Sequence, residues 1–481
     1  MERRSRWDFS RQIVYPKVGV AMKMPLAQAK TDGGQRGRMN FFKLVRRWGP
    51  WLALLAAAGA YYPRFIKDPN GMTLYPRAAE CMWMHEILRN CAEGAEYFTY
   101  PPAFGFLMMP FVPMPLGLRN LVWYAITLAA MIVSFWLCDY LVRRLHPGPW
   151  TRRELVWMRV LSLLLIAKFV LAVLENQAYD ALPLLLLMGG IFWLATERPL
   201  AGAASLGVAA AIKATPLLFL PYLLLRRRFL AAACFAAVFL FVSILPDLFF
   251  SPQGAEHGYL VTWVREIASP ALRDDEAAAP LRFWAGDHLL NHSLRGGVAR
   301  MIDGHANPQW FKVALYGTWL VFIGVLGVLL AKSPAKSPKR CEFVAVDGAL
   351  LFIGMLMLSP ITSRSHYVLL LLPYYVLVAA VIRDASMRRL GIPVLVASYY
   401  YVLVATVIRD ASVHRLGIPV LVASSLLVIT TSNDVVGSRV TEWAYRTGHL
   451  EIGTLLLMVG VAAIALRRPC DRMNRIWTAT A

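Results

Sequence analysis

Apolar runs separated by short basic segments recur along this chain from Trp51 to Leu466, and they limit what it can become. A water-soluble domain cannot bury that much apolar surface, whereas helices facing lipid need not. Of the 481 residues, 58% are hydrophobic, and the mean hydropathy is +0.51. The expected fold is an all-α polytopic membrane protein. The formal net charge of +21 would suggest nucleic acid in a soluble protein. Here the lysines and arginines lie between apolar runs, with no stacking-aromatic or groove-reading pattern beside them, so no nucleic-acid partner is expected. Their placement fits membrane orientation and contact with anionic lipid instead.

The positive-inside rule orders the runs. Residues 1–48 read as a basic, disordered cytosolic tail, too long for an ordinary signal peptide. A first span over Trp51–Tyr62 leads into an outer loop over 64–118. The end of that loop, Pro101–Leu118, is apolar but carries five prolines, which disrupt helices, so it reads as an interfacial helix and bend. Spans are then expected at Asn120–Leu141, Leu155–Leu174, Ala181–Ala195, Leu200–Ile212, Pro216–Leu225 and Phe229–Phe250. A large outer loop over 251–309 precedes spans at Trp310–Leu330, Phe343–Leu358, Tyr367–Ile382 and Ile452–Leu466. Residues 49–467 thus form one membrane domain, and 468–481 a second cytosolic tail. Leu200–Ile212 and Pro216–Leu225 fall short of the roughly 20 residues a crossing needs, and they meet at a polar break, Lys213-Ala214-Thr215-Pro216.

Within 374–424 the chain repeats itself. Tyr374–Ser398 and Tyr400–Ser424 differ only at Ala380/Thr406, Met387/Val413 and Arg388/His414. Solenoid repeats diverge further and recur more often, so this reads as a recent tandem duplication, or an error of sequence assembly, and not as a functional repeat. Without the extra copy the count is twelve spans, one of them from the copy that remains, with both termini inside. With a full extra span it would be thirteen, and the last tail would lie outside. We expect the extra unit to be absorbed as a partial or peripheral segment. None of the six cysteines forms a CxxC pair. Cys81 and Cys91 share one polar stretch, and either a disulfide or two free thiols fits them. No dense carboxylate cluster calls for a metal.

Polar and ionisable residues gather on the expected outer side: the first loop, Glu175–Asp180, Lys213, the 251–309 loop and Ser359–His366. Ionisable groups at membrane depth are costly and usually functional. One-sided clustering suits a substrate with a lipid tail and a polar head.

Four blocks then resemble glycosyltransferase family 87, of the GT-C class. Phe98-Thr99-Tyr100-Pro101-Pro102 follows an outer loop holding Tyr75-Pro76-Arg77-Ala78-Ala79. Glu175-Asn176-Gln177 resembles the family's polar turn, and Ala211-Ile212-Lys213-Ala214-Thr215-Pro216 its Lys-x-x-Pro block. Leu358-Ser359-Pro360 with His366 resembles its late Ser-Pro…His block. The likeness covers roughly residues 50–380. It implies a GT-C-like bundle of about twelve transmembrane helices in a bacterial inner membrane, with its active site facing the periplasm. It also implies transfer of a hexose, usually mannose, from a polyprenyl-phosphate-linked donor to a lipid or glycan acceptor, with no cofactor.

The resemblance places a general base in the first outer loop. Asp68 is the first candidate and Glu80 the second. The alternative for Asp68 is a turn residue, since Asp-Pro-Asn-Gly is strong turn chemistry. Lys213, Arg364 and His366 are expected to hold the donor phosphate; snorkelling or headgroup anchoring is their plain alternative. Asn176, Gln177, Asn291 and Tyr100 are candidates for the sugar and acceptor. Two other readings are a transporter or flippase of lipid-linked saccharides and an oligosaccharide ligase. A transporter usually shows inverted repeats, which this chain lacks.

Overall fold

The computed structural model describes residues 56, 58–67, 70–88, 98–146, 148–254, 256–270, 291–302, 308–333, 343–400 and 449–466. The chain divides into two units, Met1–Tyr61 and Tyr62–Ala481. In the first, the described residues are helical. Everything that follows concerns the second, in which the described residues form helices and no strands. Asp68, Cys91 and most of the second duplicated copy lie outside the described residues.

Helix α1 (Asn70–Trp83) precedes the proline-rich piece, which forms a short helix α2 (Pro102–Leu107) and a 3₁₀ turn (Met109–Phe111). Proline sits at the first helical position of α2, where its missing N–H costs nothing. Two long helices follow, α3 (Leu116–Leu145) and α4 (Arg152–Glu175). A capping box, Thr151 with Glu154, starts α4. Then come α5 (Ala181–Ala195), α6 (Pro199–Ile212), a 3₁₀ turn (Thr215–Leu218), α7 (Phe219–Leu225) and α8 (Phe229–Phe249). The outer-loop region contributes α9 (Tyr259–Trp263) and α10 (Leu294–Ile302). The last described helices are α11 (Pro308–Lys332), α12 (Val344–Leu358), a 3₁₀ segment (Arg364–Leu370) running into α13 (Leu371–Arg383), α14 (Ala385–Tyr400) and α15 (His449–Leu466).

Five described helices are long and apolar enough to cross a membrane, and six further apolar helices are shorter. That stands beside the twelve or thirteen spans expected from hydropathy. The centre of the bundle is α12 with Arg364–Arg383, whose apolar window is 83% buried, whereas α8 and α11 bury 28% and present the rest outward. In a membrane that outward face meets lipid, so exposed residues such as Leu230, Phe241, Leu320 and Val321 need no protein partner.

The two ends of the bundle differ in charge. One end carries Arg143, Arg144, Arg152, Arg153, Arg226, Arg227, Arg228 and Arg383. There Arg159 grips both carboxylate oxygens of Asp139 at 2.9 Å, and Arg226 pairs with fully buried Asp347 across α7 and α12. Arg383 binds Pro149 O at 3.0 Å and faces Glu154 at 3.5 Å. The other end gathers the Glu175–Asp180 turn, Lys213 and the loop before Arg364. Helix α14 leaves the arginine-rich end, and α15 starts at the other, where Glu451 pairs with Arg300 of α10. The direction of α15 therefore returns Leu466 toward the arginines. Cys81 is disulfide-bonded, while Cys138 and Cys234 are free thiols.

Candidate active site

The turn between α4 and α5 is built around Gln177, which no solvent reaches. Its backbone takes the left-handed region, φ 47°, a cost of about 1–2 kcal/mol for a residue with a Cβ. Five hydrogen bonds hold it there, one of them from its own N–H to Leu174 O at 3.1 Å. Its side-chain Nε2 donates to Phe65 O and to Asn120 Oδ1, both at 3.1 Å. Its Oε1 accepts from Met72 N at 3.0 Å, and its carbonyl accepts from Trp123 Nε1 at 3.0 Å. Gln177 thus ties the turn to α1 and α3. Both amide hydrogens are in use, so what it offers the site is a fixed turn. Asn176 beside it is exposed, and Glu175 pairs with Arg64 at 3.1 Å.

Gly71 shows how closely α1 sits on this turn. A Cβ there would lie 2.7 Å from the carbonyl oxygen of Gln177 and 2.8 Å from its Cβ. Neither neighbour is the end of a flexible side chain. Gly71→Ala should therefore destabilise the protein by about 1–3 kcal/mol, as overpacking does, and lower its melting temperature in detergent. An unchanged melting temperature would mean that α1 does not rest on the turn.

At the end of the turn, Asp180 is buried and meets the Lys213 ammonium, which projects from the break after α6. The break exists because α6 stops at Ile212 and Pro216 cannot continue its hydrogen bonding. Lys213 is 8% exposed and Asp180 4%, so this is a buried pair and not a surface bridge. Burial works against the charge on Asp180, yet the Lys213 ammonium holds its carboxyl below the usual carboxylate range. Burial draws the Lys213 ammonium down from its ordinary value, and Asp180 opposes that. Asp180 is a site residue the sequence reading missed, having served there only as the end of a turn.

His366, on the 3₁₀ segment, turns its Nε2 toward Asp180 Oδ1 at 3.6 Å. Arg364 lies on the same segment, near enough to Lys168 of α4 for their charges to interact. Above Lys213 stands an aromatic wall. The Lys213 ammonium lies 5.3 Å from the Tyr179 ring centre, which is 4.6 Å from Tyr100 and 4.3 Å from Phe104. Tyr75 closes the group, 5.7 Å from Tyr100 and 6.1 Å from Tyr179. Burial, with Tyr100, Asp180 and Tyr179 adding to it, pushes the Tyr75 phenol well up, so it stays a neutral donor. The structure thus brings together Tyr100, Lys213 and His366 with Asp180, Tyr179 and Tyr75, six residues from five separate stretches of chain.

Two other candidates are engaged with protein partners. Glu80 faces Arg119 at 3.4 Å, and that arginine also donates to Met114 O and Val112 O, both at 2.6 Å. Asn291 donates from Nδ2 to Pro360 O at 3.1 Å, and its Oδ1 accepts from Thr362 N at 3.1 Å. With His292 N bound to Thr362 O at 2.7 Å and Tyr367 Oη to His292 O at 2.6 Å, Asn291 belongs to a clip on the loop before His366.

A family model for glycosyltransferase family 87 matches residues 98–360, over half of the chain. Tyr100, Asn176, Gln177, Lys213 and Asn291 fall inside the match; Asp68, Glu80, Arg364 and His366 fall outside it. The chain is 25% identical over 280 residues to a polyprenol-phosphate-mannose-dependent alpha-(1-2)-phosphatidylinositol pentamannoside mannosyltransferase of Mycolicibacterium smegmatis, covering 57% of this chain and 59% of that one. It is 26% identical over 274 residues to the protein of the same name from Mycobacterium tuberculosis, with 56% of each chain covered. A polyprenol-phosphate-mannose-dependent alpha-(1-2)-phosphatidylinositol mannoside mannosyltransferase of Mycobacterium tuberculosis is 26% identical over 293 residues, covering 57% of this chain and 60% of its own. The chain thus spans less than two thirds of the length of these curated relatives. No solved structure matches it significantly. With the family model spanning the aromatic wall, the Gln177 turn and the Lys213 break, the chain belongs to glycosyltransferase family 87.

Proposed function

We propose that this protein transfers a hexose, with mannose the first candidate, from a polyprenyl-phosphate-linked donor to a hydroxyl of a lipid or glycan acceptor. The transfer inverts the anomeric centre and takes place at the periplasmic face of a bacterial inner membrane. The observation that carries the reading is the gathering of Lys213, His366 and Asp180 beneath Tyr100 and Tyr179 at one end of the bundle. The three relatives, all named as polyprenol-phosphate-mannose-dependent enzymes acting on phosphatidylinositol mannosides, support the donor and suggest a glycolipid acceptor. The arginines at the opposite end support an outward-facing site, because basic residues are retained on the cytosolic side.

In this reading the acceptor hydroxyl gives its proton to the Asp68 carboxylate while its oxygen bonds to the anomeric carbon. The bond from that carbon to the phosphate oxygen breaks, and the electron pair stays on the phosphate. Lys213, Arg364 and His366 meet the charge that develops there, where a water-poor site makes each donor worth more than in solution. Tyr100 and Asn176 face the sugar and acceptor, while Gln177 and Asn291 hold the turn and the loop that carry the other groups. Glu80 serves as counter-ion to Arg119.

The test is transfer from radiolabelled polyprenyl-phosphate mannose in membranes carrying the protein. Label should move into a lipid-extractable or glycan product that control membranes lack. Movement of intact donor across sealed vesicles, with no new labelled product, would overturn the reading in favour of a flippase.

A further inference from the structure

His366 is held in one protonation form by the backbone around it. It is the third residue of the 3₁₀ segment that Ser363 caps, and it completes a capping box, a place more often filled by glutamate or glutamine. The bond is explicit: Ser363 N–H donates to His366 Nδ1 at 3.1 Å. A ring nitrogen that accepts a hydrogen bond carries no proton, so in the neutral ring the proton is on Nε2. That nitrogen points into the site. It lies 3.6 Å from Asp180 Oδ1, outside hydrogen-bonding distance, and Lys213 already occupies that oxygen. The Nε2–H therefore has a donor position aimed beside the Lys213 ammonium.

A second proton on the ring would have to enter at Nδ1 and break the cap. The charged groups around the ring also count. Lys213 approaches from the break after α6. Asp180, from the turn before α5, is the one carboxylate that faces it among the described residues. That anion is already paired with Lys213, so nothing at the ring favours a second positive charge.

Resting on the reading of this end as the donor-phosphate pocket, we infer that His366 contacts the phosphate as a neutral Nε2–H donor and never as an imidazolium. Lys213 and Arg364 supply the positive charge, and His366 supplies direction. No proton moves through the ring in the transfer step.

Glutamine and glutamate at 366 separate this from a fold effect, because both can complete the capping box. Glutamine adds a neutral N–H donor, and glutamate a negative charge that repels phosphate. Transfer and donor-induced thermal stabilisation in detergent are measured for wild type, His366→Gln and His366→Glu. We expect His366→Gln to lose no more than about tenfold in kcat/KM for the donor, and His366→Glu to fall about a hundredfold or more below it. The donor is a phosphodiester with no proton to lose near neutrality. Wild-type kcat/KM should therefore stay level between about pH 5.5 and 7.5, where an ordinary histidine titrates. Glutamine as damaging as glutamate, together with an alkaline loss of rate in that window, would mean that an imidazolium binds the phosphate and would overturn the inference. Both variants matching wild type in transfer and in donor-induced stabilisation would instead remove His366 from the pocket and overturn the phosphate reading beneath it.

Discussion

Asp68→Asn should lower sugar transfer by about a hundred- to ten-thousandfold, the range that a positioned general base contributes. Asparagine keeps the shape of the side chain and is as good a turn residue as aspartate before Pro69-Asn70-Gly71, so the local chain should fold as before. What it removes is the ability to accept a proton. The first outer loop is anchored just past this residue, where Gly71 and Met72 abut Gln177. The measurement is kcat at equal expression, with melting temperature as a control on folding. Transfer that survives in Asp68→Asn would leave the transferase reading standing and move the base to Glu80. In that case Glu80 would have to release Arg119, and Glu80→Gln would be the variant that fails.

Much of the helix order is legible in hydropathy because lipid-facing runs are long and the breaks between them are charged. Ala181–Ala195 appears with the expected bounds, and Pro216–Leu225, Phe229–Phe250 and Phe343–Leu358 shift by a residue at one end. The proline-rich stretch forms the short helix α2, as its pyrrolidine rings require. The partners within the site were not legible, because each depends on two helix ends meeting in space. Lys213 finds Asp180 across 33 positions, and Arg300 finds Glu451 across 151. No local pattern encodes either pair. Gln177 reads in sequence as a polar residue free for sugar, yet its amide is used within the fold, because a left-handed residue under α1 needs that support. One signal was available for Asp180. An acid directly ahead of the apolar run Ala181–Ala195, between two runs of membrane character, needs a counter-ion, and Lys213 interrupts the neighbouring helix.

That pairing makes Lys213→Met the most informative change in the described site. Methionine fills a similar volume but leaves Asp180 charged and buried without its partner. Breaking a buried pair in this way costs about 3–5 kcal/mol, so the single variant should express poorly and melt early. Adding Asp180→Asn removes the stranded charge, and the double variant should regain most of that stability. Its transfer rate should not recover. With the ammonium gone, the charge that the proposed transfer develops on the departing phosphate should lose a counter-ion, a loss of about a hundred- to a thousandfold in kcat. Stability and transfer thus part company in the double variant, which neither single change achieves. A double variant that is stable and transfers at the wild-type rate would make Lys213–Asp180 a purely structural pair. Arg364 would then be the first residue in which to look for the phosphate's counter-charge.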